Sequence, residues 1–362
     1  MATRSLVAPT SNPLLEKALL EKMQRRNDSS GRLGELEPLA IRLGLMQRTL
    51  KPRFVEPQLM VFAADHGIAV EGLADGAPTR TSELVQQLLT GQLPLSVFAR
   101  IHGLQLSVVD CGVAEDLPAS DNLLARKIAH GTRNARMSSA MSVEQAHAGM
   151  RAGMEIGDKL RGNALVLAGL GVGANESAAM VMARLAEVSP RELIAAGPHI
   201  DQRTTAHLLD LAKKTQARHR GFSDPIEVLA AFGGFEMAVM VGVMLMAAGK
   251  RHLLLVDGLP AIASLMLASR IAQPVTDYCV FCRSHPHRGL DRALSLMQAT
   301  ALMELGLDSM DGCGAALAWP LVKSAAALLT EVADGEDPGP SWPGALEEEE
   351  PLQEIFPGER LY

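Results

Sequence analysis

The residues of this chain best suited to chemistry are carboxylates set beside glycine turns. They occur in four segments: VFAADHG (61–67), GLGVGANES (169–177), FGGFEM (232–237) and MDGCGA (310–315). MDGCGA places Asp311 in a glycine-flanked turn ahead of a helical stretch, and the small residues after it would let a flat ligand come close. A buried carboxylate facing an apolar slot can act as a general base. The same residue can instead cap the helix that follows. GLGVGANES lies between the apolar run ALVLAG and the helical run SAAMVMARL. Glycines in such a turn let backbone N–H groups approach a phosphate, and the start of a helix favours an anion. Gly171, Gly173 and Asn175 are its candidate ligand contacts. The alternative is a tight turn capped by Asn175 or Ser177. The spacing is neither a dinucleotide fingerprint nor a P-loop, and no Gly-Lys-Ser/Thr is present.

The remaining candidates are less decisive. Asp65 and His66 stand just past an apolar run, where a ligand contact is as reasonable as a capping aspartate beside a packed histidine. Glu236 opens a helical stretch after two glycines, and the helix dipole alone would favour it there. Asp257 ends the run LLLV, placed either to cap a helix or to touch a ligand. RSHPHR (283–288) offers Ser284 and two histidines flanked by arginines. His285 and His287 alternate, which is not helical zinc-site spacing, and Cys279-Val280-Phe281-Cys282 is a CxxC without a second pair. No metal site is expected.

The elements that must hold these residues follow from periodicity. Apolar runs at 59–64, 104–110, 164–169, 252–258 and 277–282 have the length and continuity of buried parallel strands. Helical patterns fill 81–102, 142–160, 176–188, 203–218, 235–249, 260–272 and 288–304, and a further one covers 313–333. Alternation of this kind predicts an α/β, doubly wound, mainly parallel sheet flanked by helices. Its ligand belongs outside the carboxyl ends of the strands. Residues 1–55 read as helix-rich, with breaks near Pro9, Pro13 and Gly31. The expected division is a small helical domain from 1–57 and 305–334, a large domain at 58–304, and an acidic, mobile tail at 335–362. Trp342, Ile355, Phe356 and Tyr362 could dock that tail on the body or on a partner.

Composition narrows the function classes. The 362 residues are 48% hydrophobic but only 3% aromatic, with a net charge of −7. Exposed aromatics and basic stripes are what base-stacking modules need, so nucleic acid and anionic membranes are poor partners. Four cysteines are too few for a disulfide scaffold in a chain this long. The N-terminus lacks the apolar core of a signal peptide, and residues 238–248 are too short to span a bilayer. A soluble cytoplasmic protein is expected.

Taken in order, the segments from about residue 58 to about 330 resemble the nicotinate-nucleotide–dimethylbenzimidazole phosphoribosyltransferase family. VFAADHGIAVEGLA, SVVDCGV (107–113), HGTRNARMSSAMSVEQA (130–146), FGGFEMAVMVGVMLMAAGKRHLLLVDGLPAIASLMLA (232–268) and the Ser284-His285 pair follow that family's pattern collinearly. The resemblance implies transfer of phosphoribosyl from nicotinate mononucleotide to a benzimidazole nitrogen, with inversion at the anomeric carbon. It implies no cofactor. Asp311 would take the proton. Gly171, Gly173, Asn175, Lys213 (or Lys214), Asp257 and Ser284 would hold phosphate and ribose. Asp65, His66 and the 72–85 segment, with Ala74 and Leu84, would line the base slot. It also implies a Rossmann-like large domain, a small helical domain made from both chain ends, and a homodimer. The chain departs from the pattern in places: Asp311 stands where the family has glutamate, and the glutamate of its glycine loop falls on Gly169. AAGPHID (195–201) is all that represents the second glycine loop. A nucleotide- or base-binding paralogue without catalysis, serving as partner subunit or regulator, is the rival expectation.

Overall fold

The computed structural model describes residues 6–73, 79–194, 202–285 and 289–332. They form two compact units. One comprises the described residues of Met1–Pro9 and Phe54–Trp319, the other those of Thr10–Arg53 and Pro320–Tyr362.

The larger unit is built on a sheet whose five longer strands are β1 (Gln58–Ala64), β2 (Gln105–Gly112), β4 (Ala164–Leu170), β5 (Leu253–Val256) and β6 (Cys279–Arg283). Three-residue strands β3 (Leu123–Ala125) and β7 (Ala301–Met303) close its edges. The order is β3-β2-β1-β4-β5-β6-β7, and every neighbouring pair is parallel. β4, β5 and β6 are buried at every position, which explains why they read as unbroken apolar runs. The order reverses between β1 and β4. A doubly wound sheet opens a crevice at such a point, beyond the carboxyl ends of its strands.

Helices connect the strands: α3 (Thr81–Leu89) and α4 (Pro94–His102) before β2, α5 (Val143–Asp158) before β4, then α6 (Ala174–Leu185), α7 (Gln202–Arg218), α8 (Pro225–Phe232) and α9 (Phe235–Gly249) before β5. α10 (Leu259–Ile271) follows β5, α11 (Leu290–Leu296) follows β6, and α12 (Cys313–Thr330) follows β7. The expected helix at 81–102 is interrupted around Gly91, and Pro94 restarts it at its first turn. The expected helix at 288–304 is only the short α11, which ends at Leu296; Gln298 turns the chain with φ 53° and β7 follows. Nearly every residue of α9 is buried, and it lies tight against α5: a Cβ on Gly153 would stand 2.0 Å from the Val239 carbonyl oxygen. α1 (Pro13–Ser30) and α2 (Leu36–Gln47) belong to the smaller unit, in which Arg26 donates to the Val332 carbonyl. α12 is the one described helix apolar and long enough to cross a membrane, yet 56% of that stretch is buried in the protein, as a core helix would be.

Candidate active site

The carboxyl ends of β4, β5 and β6 and the start of α12 surround a cavity of about 270 Å³. Gly169–Gly171 and Ala174–Glu176 line it after β4, Leu259 and Pro260 after β5, Arg283 at the end of β6, and Asp308–Asp311 ahead of α12. Leu193, Ile194, Leu208 and Leu290 complete an apolar wall. Polar and apolar groups share the lining about equally, with Asn175, Glu176, Arg283, Asp308, Ser309 and Asp311 supplying the polar part. Convergent polar groups of this kind orient a small molecule in its site.

The glycine loop is held from below. The His66 N–H donates to the Val172 carbonyl, so the ends of β1 and β4 are tied at the point where strand order reverses. Gly171 passes so near β1 that a Cβ there would lie 1.8 Å from the Ala64 carbonyl oxygen. Gly173 takes φ 89° and precedes α6 without any side-chain cap. The α6 amino end, twelve residues of helix behind it, therefore presents uncapped positive dipole toward the cavity edge where Asn175 and Glu176 stand. Gly169, where the family pattern has glutamate, has no room for a side chain: a Cβ would meet Pro260 Cβ at 2.6 Å.

At the far end of the sheet the acidic residues divide their roles. Asp257 is buried, and its Oδ2 accepts from the backbone N–H of Gly312 (2.8 Å) and Ala315 (3.2 Å). It caps α12 from a distance of 55 residues in sequence, a charge well placed at a helix amino end. Its Oδ1 accepts from Arg283 Nε at 2.7 Å. Asp311 is not that cap. Its side chain lines the cavity, 17% exposed, and Oδ1 accepts from Arg283 Nη2 at 3.1 Å. Arg283 is buried, which alone would lower its pKa, but Asp257 and Asp311 beside it prevail and raise it. The neighbouring Cys313 thiol is pushed up, first by burial, and stays neutral.

The other expected contacts lie elsewhere. Asp65 accepts from Thr81 Oγ1 (2.6 Å) and the Ala114 N–H (2.8 Å), so both of its oxygens hold loops rather than a ligand. Thr81 Oγ1 also accepts from the Val172 N–H, joining Asp65 to the glycine loop. His66 is buried and pairs with Glu236 at 3.1 Å, both side chains at or below 1% exposure. Burial pulls the His66 pKa down, but the Glu236 carboxylate outweighs it and the net shift is upward. Gly234 allows this pair, since a Cβ there would fall 2.1 Å from Glu236 Oε2. Lys213 is exposed on α7, and Lys214 pairs with Asp210 on the same helix. Neither lysine lines the cavity, nor do Ser284 or the half-buried Leu84. Ala74, AAGPHID, His287 and the tail aromatics lie outside the described residues. Of the expected set, the structure brings together Gly171, Asn175 and Asp311 at the cavity, with Gly173 and Asp257 directly behind them. Arg283 was missed as a site residue, although its place at a strand's carboxyl end is the same signal that singled out Asp65 and Asp257.

A sequence model described as "Phosphoribosyltransferase" matches residues 8–339. The chain is 40% identical over 328 residues to the nicotinate-nucleotide–dimethylbenzimidazole phosphoribosyltransferase of Cupriavidus taiwanensis, covering 89% of this chain and 95% of that protein. This chain belongs to that phosphoribosyltransferase family. The likewise named protein of Dechloromonas aromatica is 39% identical over 333 residues, 90% of this chain and 96% of that one. The crystal structure of CobT from Thermus thermophilus superposes with a TM-score of 0.80 at 28% identity, covering 86% of this chain and 96% of that chain. The family's fold, a parallel sheet flanked by helices with a second helical unit, is therefore this chain's fold, and the family makes it an enzyme of the phosphoribosyltransferase class.

Proposed function

We propose that the cavity transfers phosphoribosyl from nicotinate mononucleotide to a benzimidazole-type base, giving an α-ribazole phosphate and nicotinate for nucleotide-loop assembly of a cobamide. The observation that carries this reading is a carboxylate, Asp311, on the wall of the same cavity that holds a glycine loop and an uncapped helix amino end. The loop and α6 take the phosphate. One ring nitrogen of the base attacks the anomeric carbon as the bond to nicotinate breaks, its electron pair returning to the pyridine ring. The proton on the base's other nitrogen passes to Asp311. A carboxylate in contact with the departing proton contributes typically 10²–10⁴-fold. Gly171, Gly173 and Asn175 are assigned to the phosphate and Asp311 to proton transfer. Ala74 and Leu84 are kept as proposed base contacts on the resemblance alone. Asp65, His66 and Asp257 brace these groups from behind.

The retained carboxylate, and close similarity across nearly the whole length of relatives named for this activity, favour an enzyme over a non-catalytic binding paralogue. Cytoplasmic location and a homodimer belong to the same reading. The test is turnover of nicotinate mononucleotide with 5,6-dimethylbenzimidazole by the purified chain. Asp311→Asn should lower kcat at least 100-fold with little change in stability. Steady turnover in that variant would remove Asp311 from the chemistry, and tight binding of both substrates without turnover by the unmodified chain would favour the binding paralogue. Light scattering in solution checks the dimer.

A further inference from the structure

We propose that Arg283 is a positioning residue that fixes the Asp311 carboxylate on the cavity wall in its ionised form. The inference rests on the reading of Asp311 as proton acceptor. A guanidinium has five N–H donors in a rigid planar fork. Here all five meet protein acceptors. Nε donates to Asp257 Oδ1 (2.7 Å), Nη1 to the Leu307 carbonyl (2.9 Å) and Ser309 Oγ (3.3 Å), and Nη2 to the Ser309 carbonyl (3.2 Å) and Asp311 Oδ1 (3.1 Å). Arg283 lines the cavity but has no donor left for a phosphate. Its influence on a ligand passes through Asp311.

The fork is itself anchored. Asp257 cannot shift without releasing the Gly312 and Ala315 N–H groups at the start of α12. Gly314 makes room for it, since a Cβ there would lie 2.7 Å from Arg283 Cδ. On its other side Asp311 rests against Gly258, whose missing Cβ would coincide within 2.0 Å of Asp311 Cγ. The carboxylate is thus set between a fixed cation and a bare backbone.

Charge gives this arrangement its consequence. Asp257 and Asp311 face the fork together with the neutral Cys313 thiol, and Glu176 and Asp308 line the same cavity. Arg283 is the only cation among the described lining residues. An opposite charge within ~4–6 Å favours the ionised carboxylate, and neighbouring carboxylates oppose it. Removing Arg283 takes away the cation bonded to Asp311, while the carboxylates of Asp257, Glu176 and Asp308 stay in place.

The experiment is a titration of the Asp311 side-chain carbon by NMR in protein carrying ¹³C-labelled aspartate, with Asp311→Asn identifying the signal. In the unmodified chain the midpoint should fall below the ordinary aspartate range, and a midpoint at or above that range overturns the proposal even if every variant fails to fold. In Arg283→Met combined with Asp257→Asn, which removes both halves of the buried pair and keeps an oxygen for the α12 N–H groups, the midpoint should rise by roughly one unit or more. Arg283→Lys keeps the charge and should hold the midpoint near its original value while lowering kcat, because the fork is lost. The acid limb of kcat/KM should move with the NMR midpoint, whereas KM for nicotinate mononucleotide should stay within about threefold, a split that a merely structural role would not produce. An unmoved midpoint in a folded double variant sinks the proposal. Absence of turnover in the unmodified chain, with the midpoints behaving as expected, would instead sink the functional reading and leave the pairing standing.

Discussion

Gly258→Ala gives the sharpest test of where the chemistry sits, because Gly258 touches no ligand of its own and acts only through Asp311. The added Cβ would lie 2.0 Å from Asp311 Cγ and 2.2 and 2.3 Å from its two oxygens, whereas ordinary contact begins at 3.4 Å. Asp311 must therefore retreat by about 1.4 Å, which breaks its 3.1 Å contact with Arg283 or moves Arg283 with it. A misplacement of about 1 Å can cost 100-fold in rate, so kcat should fall by about that factor. Gly258 also has φ 96° and ψ 161°, a region essentially reserved for glycine, which adds a stability cost of about 1–3 kcal/mol. The two effects separate experimentally. Urea unfolding reports the strain, and saturation kinetics under conditions where the variant is fully folded report the displacement. Adding Gly258→Ala to Asp311→Asn should reduce kcat no further, since residues acting through one group are not additive. A folded Gly258→Ala protein with unchanged kcat would show that the Asp311 carboxylate, as placed here, does not take part in the reaction. A further loss on top of Asp311→Asn would show that Gly258→Ala also disturbs the reaction by a route other than Asp311.

Three other perturbations address the surrounding structure. Gly171→Ala forces a Cβ to 1.8 Å from the Ala64 carbonyl oxygen; it should destabilise the fold by about 1–3 kcal/mol and raise KM for nicotinate mononucleotide more than tenfold, measured by urea unfolding and saturation kinetics. Glu176 stands in the first turn of α6 on the cavity, where it opposes a bound phosphate; Glu176→Gln should lower that KM about fivefold at low salt, about 1 kcal/mol of repulsion, and the gain should vanish in 0.5 M salt. A KM unmoved at both salt concentrations would place the phosphate away from α6. The His66–Glu236 pair makes stability pH-dependent: with its folded pKa raised above 6.5, His66 contributes stability that is complete below that value and is lost as pH rises through the raised one. Unfolding free energy should therefore fall from pH 6 to pH 9 more steeply in the native protein than in His66→Gln, and parallel curves would refute the assignment.

The sheet was legible because β4, β5 and β6 are buried at every position and β1 at all but its first, so that these strands appear as apolar runs, while β2 keeps a buried second half. All five such runs are strands in the structure. β3 and β7 left no such trace, being three residues each and lying at the partly exposed sheet edges. Their pairing comes from neighbours already in place, not from their own composition. The site was legible only in part, for a related reason. Position at a strand's carboxyl end identifies who can reach the crevice, and by that rule Asp65, Asp257 and Arg283 are equivalent. What separates them is long-range bonding: Asp65 meets Thr81 and Ala114, Asp257 meets the start of α12, and Arg283 reaches the cavity. The cap that was the alternative reading of Asp311 comes from Asp257, which the sequence offered as a cap without saying of which helix; no local pattern encodes a cap for α12 that comes from the end of β5.

The aspartate at 311 is easier to understand in this setting than as a simple shortening of the family's glutamate. A carboxylate reaches its place by the combined geometry of its own side chain, the backbone that carries it and the groups it contacts. Here the backbone is set by Asp257, which draws the Gly312 and Ala315 N–H groups toward β5, and the carboxylate lies directly against Gly258 and Arg283. An added methylene would carry the charge about 1.5 Å further along. It could then keep the Arg283 contact only by folding back, or enter the cavity and lose it. Gly169 points the same way: with Pro260 filling the space a side chain would need, the second carboxylate of the family pattern has no place to stand. Of the three carboxylates that line the cavity, Asp311 is thus the one drawn back to the wall and paired with Arg283, beside the apolar surface of Leu259, Pro260 and Met310. On the proposed reading, the apolar part of such a slot would receive the flat base, and the paired Asp311 would take its proton.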